Sequence, residues 1–144
     1  MPVGVRVLSR VVVALALGAG PAAAAGGVVA VVSAKSPVTA LTRNEVVDLF
    51  LGKASRFPDG EQAVPFDQIE GSAARDEFYA TFTGKTAPQI KAHWSKIIFT
   101  GRGQPPRELP NGVEVKKQVV QNPKAIGYID RSLVDASVRV VLSP

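Results

Sequence analysis

Two hydrophobic rhythms alternate along this chain. Val28 to Ser33 (VVAVVS) is an unbroken run rich in β-branched residues, the pattern of a strand covered on both faces and therefore central in its sheet. Thr42 then opens a Thr-x-x-Glu capping box with Glu45. Val46, Val47, Leu49, Phe50 and Leu51 follow at helical spacing, and Gly52 stands where a helix C-terminus favours glycine. Pro58-Asp59-Gly60 marks a turn, Ala63 to Asp67 a second strand, and Ser72 the N-cap of a helix that carries Phe78, Tyr79 and Phe82 as far as Gly84. A third helix starts at Thr86, with Pro88 in its first turn and Gln89 completing the cap, and presents Ile90, Trp94, Ile97 and Ile98 on one face. The prolines and glycines of Thr100 to Pro110 predict a loop. Asn111 caps a fourth helix from about Gly112 to Gln121, which Asn122-Pro123 closes. Ala125 to Asp130 and Val138 to Leu142 are the closing strands, joined by a polar turn around Arg131 to Ala136. The alternation predicts an α/β fold, a β-sheet flanked by about four helices.

The first residues change this picture by adding a compartment. Arg6 and Arg10 form a basic start, Val11 to Leu17 an apolar core and Pro21 to Ala25 a small-residue cleavage zone, so residues 1–25 read as a secretory signal peptide cut near Ala24 or Ala25. The apolar run is far shorter than the ~20 residues that span a bilayer. What remains, 26–144, is about 119 residues, enough for one domain and too few for two. The expected location is the periplasm.

Composition mainly removes options. The absence of cysteine excludes disulfides, thiol chemistry and cysteine metal sites, so stability must come from apolar burial. Without Arg6 and Arg10 the net charge drops from +5 to +3. Lys53, Arg56, Arg102, Arg107, Lys116 and Lys117 are scattered, with no aromatic interleaving, so nucleic acid is not expected as a partner. His93 is the only histidine and has no second histidine at i+4, so it reads as a packing or surface residue. Neither a metal, a cofactor nor a catalytic constellation is indicated, and the protein is not expected to be an enzyme. Gly101-Arg102-Gly103 reads as a helix C-cap and turn, and Trp94 and Tyr128 as core. Asp67 and Glu70 read as acids that favour the start of the following helix.

The segment AVPFDQIEGSAARDEF, Ala63 to Phe78, carries the candidate chemistry. A strand runs into a Gly-Ser turn at a helix start, where backbone N–H groups lack intrahelical partners and the helix dipole favours an anion. Arg75, in the first turn, could reach an anion there or pair on the surface with Asp76 or Glu77. Both readings stay open at this level.

In order along the chain, TRNEVVDLFLGK (Thr42 to Lys53), the Asp59-Gly60 turn, VPF with the Gly-Ser helix start, HWSKIIFTGRGQPP (His93 to Pro106) and NPKAIGYID (Asn122 to Asp130) resemble the periplasmic phosphate-binding proteins of ABC importers. The resemblance implies a type 2 periplasmic-binding-protein-like fold, here as a single lobe where the family closes two lobes around phosphate. It also implies an anion site at Gln68, Ser72, Ala73, Ala74 and Arg75, with Gln68 at the position of a strand arginine and Ala73 and Ala74 at those of a glycine and a threonine. Loss of the arginine and the threonine hydroxyl is expected to weaken binding by ~10- to 10³-fold. The expected function is non-catalytic binding of phosphate or another oxyanion, with a homodimer or a periplasmic or membrane partner protein supplying the missing wall. The alternative is a periplasmic interaction or sensing module that keeps the fold and has lost its ligand.

Overall fold

Six consecutive buried residues, Val28–Ser33, form β1, which lies inside the sheet with a strand on either side, as its unbroken apolar pattern predicts. The structure, a computed structural model, describes residues 27–144, so the expected signal peptide lies outside the described residues. After β1 come α1 (Arg43–Phe50), β2 (Val64–Gln68), α2 (Ala73–Thr83), α3 (Ala87–Phe99), β3 (Arg107–Leu109), α4 (Gly112–Gln121), β4 (Ala125–Asp130) and β5 (Val138–Leu142). The five strands are ordered β3-β2-β4-β1-β5. β2 runs parallel to β3 and β4, whereas β1 is antiparallel to β4 and β5, so the sheet is mixed.

The caps determine where the helices start. Thr42 with Glu45 and Thr86 with Gln89 form reciprocal capping boxes, while Ser72 and Asn111 accept from Arg75 N–H and Glu114 N–H. Each such cap is worth ~1 kcal/mol. Alternation along the strands then divides the core into two layers. Ala30, Val32, Ile126 and Tyr128 meet α1, α2 and α3 on one face of the sheet through Phe50, Phe78 and Ile90. Val29, Val31, Phe66 and Ile129 meet Val115 and Val119 of α4 on the other. α4 approaches β4 so closely that a Cβ at Gly127 would lie 2.4 Å from Val115 Cγ1.

The end of α1 and the middle of α3 are fastened together. Gly52 takes φ +75°, and a Cβ there would sit 2.7 Å from Trp94 Cη2. Its neighbour His93 places Nε2 2.8 Å from the Leu51 carbonyl oxygen; because that oxygen only accepts, Nε2 carries the proton. His93 is thus a packing residue, and Trp94 and Tyr128 are core residues, as expected.

One element corrects the sequence expectation. The Thr100 to Pro110 segment is a loop only in part, because Arg107–Leu109 pairs in parallel with Phe66 to Gln68 as β3. A three-residue edge strand between Pro106 and Pro110, with two charged residues, leaves no period-2 pattern to read. At the opposite edge Arg139 Nη1 donates to the carbonyls of Ser36 at 2.7 Å and Val38 at 2.8 Å, and Leu41 N–H donates to the Val141 carbonyl. The segment after β1 is thereby strapped along β5.

Candidate functional site

β2, β3 and β4 are parallel, and their C-terminal ends meet the start of α2, the place where open α/β sheets take ligands. Every sequence-predicted site residue lies here. Gln68 ends β2, fully buried, and its amide Nε2 donates to the Tyr128 carbonyl at 3.0 Å. Its Oε1 accepts from Ser72 Oγ at 3.0 Å, and Ser72 Oγ in turn accepts from Arg75 N–H at 3.3 Å. The Gln68 and Ser72 side chains therefore satisfy each other. The N–H groups of Ala73 and Ala74 have no partner among the described residues, as the first turn of a helix allows.

Arg75 differs from both pairings expected for it in the absence of ligand. It is buried, and its Nη1 donates to the Gln68 carbonyl at 2.9 Å and to Glu108 Oε1 at 2.8 Å, with Asp67 Oδ2 at 3.9 Å. Surface pairing with Asp76 or Glu77 is thus corrected: the helix turns Arg75 inward, against the end of the sheet, where β3 brings Glu108 beside Asp67. Burial works against the guanidinium charge, but Asp67 and Glu108 outweigh it and hold the Arg75 pKa above the usual arginine value.

Asp67 also departs from its expected role. Beyond preceding a helix start, it is buried and fully engaged: Oδ1 accepts from Gln68 N–H and from the Tyr128 hydroxyl, and Oδ2 accepts from the Tyr79 hydroxyl at 2.5 Å. Desolvation raises its pKa above the ordinary 3.8, against the lowering effects of Tyr128, Tyr79, Arg75 and the Gln68 N–H. Desolvation and the Asp67 charge also raise both tyrosines, which stay protonated and remain donors. Glu108, Tyr79 and Tyr128 were not identified as parts of this network from the sequence, and only the periodic burial of the tyrosine rings was visible there.

Beside Arg75 opens a cleft of about 170 Å³ whose charged lining is Asp67, Glu70, Glu108, Arg75 and Lys91. Its carboxyl groups Asp67 and Glu108 both flank the Arg75 guanidinium, so chemically the cleft orders a guanidinium rather than attracting an anion. Anion capacity resides in the α2 N–H groups. Among the described residues no cluster of His, Cys, Asp and Glu has the spacing to hold a metal.

The chain matches solved structures of phosphate-transport proteins. A protein of Clostridium perfringens, described as a phosphate ABC transporter substrate-binding protein and solved with bound phosphate, matches at 24% identity and TM-score 0.63, over 81% of this chain and 44% of that one. An ABC-type phosphate transport receptor of Vibrio cholerae matches at 21% identity and TM-score 0.64, over 81% and 45%. PstS of Borrelia burgdorferi matches at 12% identity and TM-score 0.60, over 81% and 46%. No protein-family model and no curated protein matches the chain. The likeness is one of fold: a mixed five-stranded sheet flanked by four helices, a short single lobe spanning less than half the length of these neighbours.

Proposed function

We propose that this protein is an exported, non-catalytic solute-binding-type protein that takes phosphate or a similar oxyanion at the start of α2. The observation that carries this is the pair of unpartnered N–H groups of Ala73 and Ala74, at a helix start capped by Ser72 and followed by Arg75. The fold shared with proteins described as phosphate-binding supports it, as does the secretory pattern of residues 1–25. Among the described residues no helix is long and apolar enough to cross a membrane. Glu108 competes with any anion for Arg75, so affinity is modest.

Calorimetric titration with inorganic phosphate tests this. Saturable heat is expected below about 1 mM, and Glu108→Gln, which releases Arg75, should tighten binding by about tenfold, or ~1.4 kcal/mol. No heat from either protein up to about 10 mM phosphate rules the reading out.

We assign the wall that faces this lobe's site to a second copy of the chain. Sedimentation velocity should therefore find a dimer, and a monomer both with and without phosphate would remove this part of the proposal.

The carboxyl-lined cleft and the mutual satisfaction of Gln68 and Ser72 favour a second reading, an interaction or sensing module that keeps the fold and binds no solute. In that case Glu108→Gln gains no phosphate affinity, and the partner is another periplasmic or membrane protein.

A further inference from the structure

At the opposite, N-terminal ends of β2 and β3 lies a larger cavity of about 450 Å³, between the end of α1, α3 and the loop that leads into β3. Its position separates it from the Ser72 end of the sheet, and its chemistry differs. No carboxylate lines it, whereas Arg102 and Arg107 both do. Among the described residues neither arginine makes an ion pair or a side-chain hydrogen bond, although the chain forms four ion pairs elsewhere. Two cations facing one cavity without an acid favour a negatively charged occupant.

Trp94 lines the same cavity, as it does the cleft beside Arg75, and is 6% exposed. The remaining wall includes Leu49, Val64, Pro65 and Ile97, so the cavity offers an apolar surface next to its cations. Its volume lies within the range of small-molecule sites, ~300–1,000 Å³.

We infer that this cavity binds a small organic carboxylate with an apolar body, its carboxylate held by Arg102 and Arg107 and its body against Leu49 and Ile97. The site is distinct from the α2 oxyanion site. A bare inorganic ion would leave the apolar wall unused, and a neutral apolar molecule would leave both arginines unpaired.

The chain contains one tryptophan, Trp94, which lines this cavity and also the cleft beside Arg75, so its indole resonance reports on an occupant and variants on the two sides assign the response. Titrating the ¹⁵N-labelled full chain with hexanoate should move the indole N–H resonance saturably, with half-saturation at millimolar concentrations or below. Hexan-1-ol at the same concentrations should bind at least tenfold more weakly. The exposed double variant Arg102→Gln/Arg107→Gln, with its melting temperature checked, should lose at least tenfold in hexanoate affinity, while Glu108→Gln should leave it unchanged. No movement of the resonance up to about 50 mM hexanoate would overturn the inference. So would an equal response to hexan-1-ol, an equal response to inorganic phosphate, or unchanged affinity in the arginine variant.

Discussion

Asp67→Ala lowers the unfolding free energy by about 3–5 kcal/mol, read from urea melts, and the melting temperature by about 10–20 °C. Two buried phenols, Tyr79 and Tyr128, lose their acceptor, at ~1–3 kcal/mol each, and Arg75 keeps only the half-exposed Glu108 as a close carboxylate. Asp67→Asn is milder, because an amide accepts at one atom and donates at the other, so both phenols can still be paired. The asparagine variant also isolates the titration. The folded state raises the Asp67 pKa, so between 3.8 and that raised value it binds more protons than the unfolded chain, and wild-type stability falls as pH rises through this interval. Asparagine does not titrate. The stability gap between wild type and Asp67→Asn is therefore widest near pH 3 and narrows toward pH 7; a gap that widens with pH would mean that the ionised carboxylate is the form the fold favours.

Phe78→Ala carries the second large effect, a loss of about 3–5 kcal/mol. The ring is fully buried and stacks on Tyr128 at 4.1 Å with 5° between planes, while Phe50 and Tyr79 meet it edge-on at 4.8 and 5.2 Å. Alanine leaves a cavity at the centre of this aromatic group and removes pair interactions of ~0.5–1.5 kcal/mol each. Phe78→Leu fills most of the space and should cost about half as much. Because Phe78 packs against both tyrosines that donate to Asp67, the two losses share one mechanism. The double variant Asp67→Ala/Phe78→Ala should cost at least about 0.5 kcal/mol less than the sum of the single changes. Strict additivity in denaturant melts would show that the aromatic ring does not position the phenols.

These two residues mark the limit of what the sequence discloses. Helix starts are local: Thr42 and Glu45, or Thr86 and Gln89, are three positions apart, so the signal and its structure occupy one turn. The buried strands are equally legible, since β1 and β4 carry their environment in their own composition. The Asp67 network has no such signature. Tyr79 is 12 residues and Tyr128 61 residues from Asp67, Glu108 is 33 from Arg75, and only the sheet order brings them to one point. A carboxylate before a helix start looks the same in sequence whether it faces solvent or two phenols. Likewise, β3 is a strand because β2 is its neighbour, and Arg75 is buried because β3 places Glu108 above it. The position of the candidate site was thus readable from Ser72 and its neighbours, while its electrostatic character depended on contacts that no window of sequence contains.

The strapping of β5 bears on how copies of this chain can meet. Exposed sheet edges invite other chains to add strands, the first step toward cross-β aggregation. Here the outer side of β5 is occupied by the Ser36 to Leu41 segment, pinned through Arg139, and the far edge ends in a three-residue strand between two prolines, neither of which has an N–H to offer. Neither edge presents a long free ladder. Growth by continuous sheet is thereby disfavoured at both ends, which leaves helices and loops as the surfaces through which another molecule could dock.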